Sequence, residues 1–429
     1  MISAIKNAVV LGSGGTMGSL TGGIIAQNGI KTYFMSRLKE HAECGLKRAI
    51  HQARSEAIAE NTICGEYKGS LQDALKDADW VVECVTENVQ IKQGVYKEIE
   101  QHLKPDAVIS TTTSSLPLSR LCDGMSEAFK RNFLGVHFYN PPAKILACEI
   151  AAQRYTDPEV TRFMSDFLEH NLGRVVIPVQ DTSAFAGNRI AFLLFCEITA
   201  LAEEYGVELI DYLLGPYTGR IMAPLATIDL VGLDIHKAII ENLYEHTNDH
   251  MHHTFRVPEY IEKMIENGCL GSKTPDKGGF YKRDSSRNKL AMNPATLDYE
   301  PVKRPKVSFV EEAKEMIRTG RYNDAFAIIM ESPCAEADVV RKILCTYISY
   351  SYSCIGEVTE ARYGIDGIDK VMASGYNWAP PSLILTMMGG AERVTGLLRH
   401  YGCMVPDALK GPDKPIDLHG DPGRYFLAR

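Results

Sequence analysis

The 429-residue sequence lacks several features that mark particular classes of protein. No stretch approaches the roughly 20 apolar residues that span a bilayer, so we expect a soluble protein. The eleven cysteines form no Cys-x-x-Cys pair, and no charged leader with a cleavable hydrophobic segment precedes the first apolar strand. Acidic residues (54) outnumber Lys and Arg (46), giving a formal charge of -8 that argues against a polyanionic partner. These absences favour a cytoplasmic protein that binds neither nucleic acid nor membrane.

A metal-binding pattern is missing as well. Four histidines lie close together at His246, His250, His252 and His253, but no H-E-x-x-H arrangement or comparable set of ligands accompanies them. We therefore predict no metal site.

The first thirty residues indicate a strand, a glycine-rich turn and a helix. An apolar run at 8–11 leads into the turn, and residues 19–28 have helical spacing. Such a turn lets backbone amides approach a pyrophosphate at a helix N terminus. Two registers fit the G-x-G-x-x-G pattern: one residue is inserted before Gly18, or Ser13 replaces the first glycine. The predicted cofactor-binding residues of this turn are Gly12, Gly14, Gly15, Met17 and Gly18.

The next strand, at 31–35, ends without an acidic residue. Folds that prefer NAD normally place a carboxylate there, against the ribose 2'-hydroxyl. This chain has Ser36 and Arg37 instead, which could hold a 2'-phosphate and make NADP a candidate cofactor beside NAD. The alternative is that Arg37 is only a solvated surface residue.

Polar residues follow two further predicted strands. Glu87 and Lys92 come after the apolar strand at 79–85, and hydroxyls including Ser114 and Ser115 end the strand that starts at 107. The carboxyl ends of parallel strands face the ligand crevice, so these residues are candidates for cofactor or substrate contacts. Helix capping explains the hydroxyls equally well.

A histidine and a glutamate twelve residues apart predict proton-transfer chemistry. His137 lies on a strand at 133–138 that ends in Asn140-Pro-Pro, and Glu149 lies inside the following apolar run. A charge in an apolar strand needs a partner, and a carboxylate on one ring nitrogen fixes the tautomer of a histidine that acts as a base. The alternative is a core histidine bonded to backbone beside a surface glutamate.

Several motifs in order, from Gly12 to Tyr281, together resemble the L-3-hydroxyacyl-CoA dehydrogenase family. They are Gly12 to Gly18, Val82-Glu-Cys-Val-Thr-Glu87-Asn, Thr113-Ser114-Ser115-Leu, His137-Phe-Tyr-Asn140-Pro with Glu149, Asp181-Thr-Ser-Ala-Phe-Ala-Gly-Asn188-Arg189, Pro224 to Asp234, and Leu270-Gly-Ser-Lys273-Thr with Gly278-Gly-Phe-Tyr281. The resemblance implies an α/β Rossmann-type dinucleotide-binding domain followed by an all-α C-terminal domain.

The resemblance also implies roles for individual residues. His137 would exchange the proton of the substrate's 3-hydroxyl while hydride passes between C3 and the nicotinamide, and Glu149 would orient it. Ser114 would bond the reacting oxygen or the thioester region, and Asn188 would contact the substrate. The family positions that contact the dinucleotide are matched by Glu87, Lys92, Asn140 and Lys273.

An internal repeat predicts that the helical domain is duplicated. Glu204-Tyr-Gly-Val-Glu-Leu-Ile-Asp211 is echoed by Arg362-Tyr-Gly-Ile-Asp-Gly-Ile-Asp369, and 224–232 spans the same interval as 381–389. Coincidental similarity between two amphipathic helix pairs is the alternative. We predict a Rossmann domain at 1–180, a first helical copy at 181–283, a linker and helix at 284–330, a second copy at 331–400 and a tail at 401–429. A fused second copy would leave either a monomer with pseudo-dimeric helical domains or a homodimer.

Three functions remain open from the sequence. The first is an NAD(P)-dependent dehydrogenase of 3-hydroxyacyl-CoA thioesters, similar to the dehydrogenase part of fatty-acid oxidation proteins but too short to add a hydratase. The second is a dehydrogenase of a small polar 3-hydroxy acid or sugar acid, because the segment at 45–79 is compact where short family members carry a CoA-contacting arm. The third is a non-catalytic dinucleotide sensor or scaffold, which would have no need of a proton relay.

Overall fold

A computed structural model describes residues 4–410 and 421–428 of the chain. The chain divides into two compact units, one comprising Met1–Phe185 with Glu357–Arg362 and the other Ala186–Gly356 with Tyr363–Arg429. Among the described residues, no helix has both the length and the apolar character needed to cross a bilayer.

The first unit is built on an eight-stranded sheet with the order β3-β2-β1-β4-β5-β6-β7-β8. Its strands are β1 Asn7–Leu11, β2 Lys31–Ser36, β3 Thr62–Glu66, β4 Trp80–Glu83, β5 Val108–Thr111, β6 Phe133–Phe138, β7 Ala147–Ala152 and β8 Val175–Val179. All neighbouring strands are parallel except β6 and β7, which are antiparallel. The chain reverses its direction of travel across the sheet between β1 and β4, which is where open α/β sheets bind ligands.

Eight helices accompany this sheet: α1 Thr16–Gln27, α2 Lys39–Ala53, α3 Ala57–Glu60, α4 Tyr67–Lys76, α5 Val89–Glu100, α6 Leu118–Leu121, α7 Glu127–Arg131 and α8 Pro158–His170. Glycines let α1 lie close to the sheet, because a Cβ at Gly22 would meet the Phe34 ring at 2.4 Å. The Asp157 carboxylate caps α8 by accepting from the Glu159 amide at 3.0 Å. On the same helix, Phe167 packs edge-on against Trp80 of β4, with ring centroids 5.8 Å apart. The buried core of this unit therefore lies between the sheet and helices such as α1 and α8.

The second unit is mainly helical. Its helices are α9 Gly187–Tyr205, α10 Val207–Leu213, α11 Pro224–Val231, α12 Leu233–His246, α13 Glu259–Glu266, α14 Ser308–Arg318, α15 Tyr322–Glu331, α16 Ala335–Ser353, α17 Asp366–Val371, α18 Pro381–Met387 and α19 Gly390–His400. The two longest, α9 and α16, have 19 residues each, and most of their side chains are buried. They form the centre of this unit.

A small antiparallel sheet lies where the sequence predicts a polar linker. It consists of β9 Tyr281–Arg283, β10 Lys289–Met292 and β11 Tyr299–Pro301. Pro301 lies on the edge strand β11, where proline is tolerated although it cannot donate to a strand ladder.

Two buried aspartates occupy matching positions in the halves of the second unit. Asp211 of α10 accepts from the Leu225 amide at 2.7 Å, at the start of α11. Asp369 of α17 accepts from the Ser382 amide at 3.2 Å, at the start of α18. Burial raises the pKa of Asp211 to about 6 and that of Asp369 to about 7, against the opposing effect of these hydrogen bonds.

The predicted fold class, a Rossmann-type domain followed by a helical domain, is confirmed. The matched aspartate caps support the proposed duplication of the helical domain.

Candidate active site

His137 and Glu149 lie directly opposite each other on the antiparallel strands β6 and β7. The Asn-Pro-Pro turn reverses the chain after β6 so that the two side chains meet. Because an ionised carboxylate can only accept, Nδ1–H of His137 donates to Oε2 of Glu149, at 2.7 Å. Nε2 then carries the lone pair and makes no hydrogen bond to a described residue. This ring nitrogen is suited to take a proton from a ligand.

The pair is enclosed by protein. The His137 side chain is 8% exposed and the Glu149 side chain is fully buried. Two aromatic rings flank the imidazole, with centroids 4.9 Å away for Tyr139 and 5.8 Å away for Phe185. Buried surroundings strengthen the interaction between the imidazole and the carboxylate.

Glu83, at the end of β4, is a buried carboxylate that is not among the predicted site residues. Its oxygens accept from Lys92 Nζ at 2.9 and 3.0 Å, from the Tyr96 hydroxyl at 2.5 Å and from the Thr111 hydroxyl at 2.8 Å. A single glutamate inside the apolar run Trp-Val-Val-Glu, followed by a lysine on the next helix, was the available signal. Glu83 joins strands β4 and β5 to helix α5 at the carboxyl end of the sheet.

Lys92 bridges Glu83 to Glu87. Its Nζ lies 3.3 Å from Glu87, and its side chain is only 1% exposed. Burial lowers the pKa of Lys92, but the two carboxylates outweigh that effect and the pKa is raised overall. Burial raises the pKa of Glu87, but the Lys92 charge and hydrogen bonds from neighbouring hydroxyls leave it below its usual value. The pair is therefore ionised at neutral pH.

The hydroxyl turn after β5 is held by Glu87. Its Oε1 accepts from the Thr113 hydroxyl, from the Ser114 amide at 3.1 Å and from the Ser115 hydroxyl at 3.0 Å. The capping interpretation of these hydroxyls is wrong, because Pro117 is the N-cap residue of α6 and has no side-chain cap. The hydroxyl of Ser114 makes no hydrogen bond to a described residue, so it is available to a ligand.

The glycine turn follows the register with one inserted residue. Gly12 has φ +77°, and a Cβ there would meet the Cys84 carbonyl oxygen at 2.5 Å. A Cβ at Gly18 would meet the Gly12 carbonyl oxygen at 2.4 Å. The amides of Thr16, Met17 and Gly18 donate to no described residue, so the N terminus of α1 offers free N–H groups beside a surface without side chains. These features fit a dinucleotide pyrophosphate.

Ser36 and Arg37 have different environments. The buried Ser36 hydroxyl accepts from the Gly14 amide at 2.9 Å and so holds the glycine turn against β2. Arg37 is exposed and makes no hydrogen bond to a described residue. Arg48 of α2 also supports the turn, by donating to the Gly14 carbonyl at 3.0 Å. Arg37 is thus the one of the two predicted residues whose side chain is free.

Of the remaining predicted residues, Asn140 belongs to the first unit, and Asn188 and Lys273 belong to the second. Asn140 is exposed at the start of the turn after β6. Asn188, in the first turn of α9, is buried and accepts from the Tyr376 hydroxyl at 2.6 Å. Lys273 forms an ion pair with Asp234.

The histidine cluster has structural contacts. Nδ1 of His246 lies 2.9 Å from the Asn242 carbonyl, and Nδ1 of His252 lies 2.8 Å from the Thr247 carbonyl. Within residues 4–410 and 421–428, no group of three or more His, Cys, Asp or Glu is placed to hold a metal ion.

Comparison with known proteins gives two adjoining family matches. Residues 7–182 match the 3-hydroxyacyl-CoA dehydrogenase NAD binding domain, and residues 185–283 match the C-terminal domain of the same family. The NAD match covers the whole first-unit network described above.

Individual relatives agree with this match. A probable 3-hydroxyacyl-CoA dehydrogenase of Bacillus subtilis (strain 168) is 31% identical over 95% of this chain, which spans 54% of that relative's length. A probable 3-hydroxybutyryl-CoA dehydrogenase of Deinococcus radiodurans is 30% identical over 64% of this chain and 98% of its own. The solved 3-hydroxybutyryl-CoA dehydrogenase of Escherichia coli K12 has the same fold over 97% of both chains, with a TM-score of 0.68 and 18% identity. The chain belongs to the 3-hydroxyacyl-CoA dehydrogenase family.

Proposed function

We propose that this chain interconverts (S)-3-hydroxyacyl-CoA and 3-oxoacyl-CoA thioesters with NAD as the hydride carrier. The observation that carries the proposal is the buried hydrogen bond of 2.7 Å between His137 and Glu149. This bond occupies Nδ1 of the imidazole and leaves Nε2 free to exchange a proton with a ligand. The chain also belongs to a family of dehydrogenases, whose reaction needs such a proton transfer. A sensor or scaffold has no use for such a relay.

The proton chemistry belongs to His137. In the oxidative direction its Nε2 takes the proton of the substrate's 3-hydroxyl, and in the reductive direction it returns that proton to the 3-oxo oxygen. Glu149 is a positioning residue that fixes the tautomer and stabilises the imidazolium. Ser114 supplies a hydroxyl to the reacting oxygen or thioester, and Asn188 contacts the substrate.

NAD, when bound, accepts or donates the hydride at its nicotinamide. The free amides at the start of α1 and the bare surface at Gly12 and Gly18 would hold its pyrophosphate. Glu87 and the neighbouring hydroxyl turn would contact its nicotinamide end, together with Asn140 and Lys273. Lys92 is enclosed by Glu83 and Glu87, so we assign it to holding Glu87 in place.

We also propose that residues 331–400 are a second copy of the helical domain at 181–283, with 284–330 between them. The equivalent helix caps made by Asp211 and Asp369 support this proposal. The sequence repeat supports it as well, because 204–211 is echoed by 362–369 and 224–232 spans the same interval as 381–389. The second copy has no equivalent of Asn188-Arg189, so we expect one active site in the chain. Eleven free cysteines suit a reducing compartment such as the cytoplasm.

The test is oxidation of NADH with acetoacetyl-CoA, run beside NADPH and beside free acetoacetate. We expect turnover with the thioester and none with the free acid. Turnover with a free 3-oxo acid alone would replace the proposal with a dehydrogenase of small polar acids. NADH binding without turnover of either compound would favour a sensor.

A further inference from the structure

The side chain of Asn188 is held by a residue from the other half of the second unit. The Tyr376 hydroxyl donates to Oδ1 of Asn188 at 2.6 Å, although the two residues are 188 positions apart in sequence. The Asn188 side chain is otherwise unbonded: Nδ2 donates to no described residue. Because a carboxamide is planar, fixing Oδ1 also fixes the direction in which Nδ2 points.

An irregular turn presents Tyr376. Residues Met372–Tyr376 form a π-helical turn, and Asn377 then adopts φ +51° in the left-handed region. Single π turns are rare and occur often at functional sites. The turn ends the helix that begins with α17, and beyond Asn377 the Trp378 amide donates back to the Met372 carbonyl at 3.0 Å.

Trp378 anchors this turn against α9. Its ring lies edge-on to Phe195, with centroids 5.7 Å apart, and next to Tyr376, with centroids 5.3 Å apart. Phe195 is seven residues after Asn188, two helical turns along the same face of α9. Trp378 is 2% exposed, so this contact is part of the core. Tyr376 and Trp378 therefore contact one face of α9 at two positions, Asn188 and Phe195.

The chain around Trp378 also pairs with the first helical copy. Residues Arg220 and Trp378 form an antiparallel bridge, and the Ala379 amide donates to the Gly219 carbonyl at 2.7 Å. The Arg220 guanidinium lies 4.9 Å from the centre of the Trp378 ring. Both segments lead into the proline-started helices α11 and α18, so the turn is fixed to the two halves of the unit at once.

We propose that Tyr376 is a positioning residue for the reaction and acts through Asn188. By occupying Oδ1, its hydroxyl leaves the Nδ2 amide hydrogens to donate to the acyl-CoA substrate. The second helical copy would thus contribute to catalysis without contacting the reacting atoms. This inference rests on the proposed function, since it requires that Asn188 contacts the thioester substrate.

The experiment is a double-mutant cycle on acetoacetyl-CoA reduction with the full chain, using Tyr376→Phe, Asn188→Ala and the double variant. Tyr376→Phe should lower kcat/KM for the thioester by about 10-fold, the effect of losing one buried hydrogen bond. The KM for NADH should stay near the wild-type value. In the Asn188→Ala background the tyrosine change should have no further effect, because its route to the substrate is gone.

Tyr347→Phe is the matched control. It deletes a hydroxyl from the same cluster, where Tyr347 donates to the Ala379 carbonyl at 2.9 Å, but it does not touch Asn188. We expect it to lower the thermal midpoint and leave kcat/KM unchanged.

Two results would overturn the positioning role while leaving the proposed function intact: wild-type kinetics for Tyr376→Phe, or losses that multiply in the double variant. Absence of thioester turnover in the wild type, with NADH bound, would refute the proposed function, and the role of Tyr376 with it.

Discussion

Replacing Glu149 with Gln isolates the charge that acts on His137. The substitution keeps the size of the side chain and an oxygen that can accept from Nδ1, but removes the negative charge opposite a developing imidazolium. Both side chains are buried and 2.7 Å apart. Two unit charges about 4 Å apart attract each other by about 4 kcal/mol at an effective dielectric constant of about 20, a typical value for charge pairs in proteins. Since about 1.4 kcal/mol corresponds to a tenfold change in rate, we expect kcat to fall roughly 1000-fold.

The KM values should change little, because the lost interaction strengthens only as the proton moves. The assay is steady-state oxidation of NADH with acetoacetyl-CoA, with circular dichroism to verify folding. Glu169→Gln, at an exposed position of α8, is the control and should behave as wild type. A kcat for Glu149→Gln within tenfold of wild type would refute the proposed role.

Three further changes test other parts of the structure. Arg37→Ala should raise the KM for NADPH at least about tenfold and leave that for NADH unchanged if the free guanidinium meets a 2'-phosphate; equal changes for both nucleotides would reject that contact. Burial raises the pKa of Asp369 to about 7, so the folded protein keeps a proton that the unfolded chain releases at lower pH. That stabilisation of the wild type is complete below about pH 4 and is lost as the pH rises through about 7. Asp369→Asn cannot lose it, so between these pH values the free energy of unfolding in urea of the variant should rise by on the order of 4 kcal/mol relative to that of the wild type. A difference that does not vary with pH would contradict the assignment. Glu83→Gln should destabilise the fold by about 3–5 kcal/mol, because Lys92 would keep a buried charge without its main partner. The exposed pair member Asp73 supplies the control, as Asp73→Asn should leave unfolding nearly unchanged, and equal effects of the two changes would show that the Glu83 contact adds little.

Local sequence pattern was enough to predict the parts of the site that lie on one or two adjacent strands. The turn after β6 makes β7 antiparallel, so a histidine and a glutamate at the right separation become cross-strand neighbours. The glycine turn is equally local, although its register depended on the close approach of Gly12 to Cys84, the residue that follows the neighbouring strand β4. The sequence alone could not provide that distance.

Contacts between distant segments were not predictable from pattern. The sequence predicts that Lys92 contacts the cofactor, but pattern alone could not show that its ammonium group lies between Glu83 and Glu87, a result of where α5 packs on the sheet. The hydroxyl that holds Asn188 comes from Tyr376, and no local spacing relates two residues so far apart. The edge strand β3 was also missed, because only one of its five residues is buried and its pattern is correspondingly weak.

The proposed role of His137 is tested most directly by comparing wild type with His137→Gln in reduction of acetoacetyl-CoA at saturating NADH, with NADH affinity measured by fluorescence. We expect rapid turnover by the wild type, a loss of several orders of magnitude in the variant and the same NADH affinity in both. A variant that turns over the thioester at the wild-type rate would contradict that role.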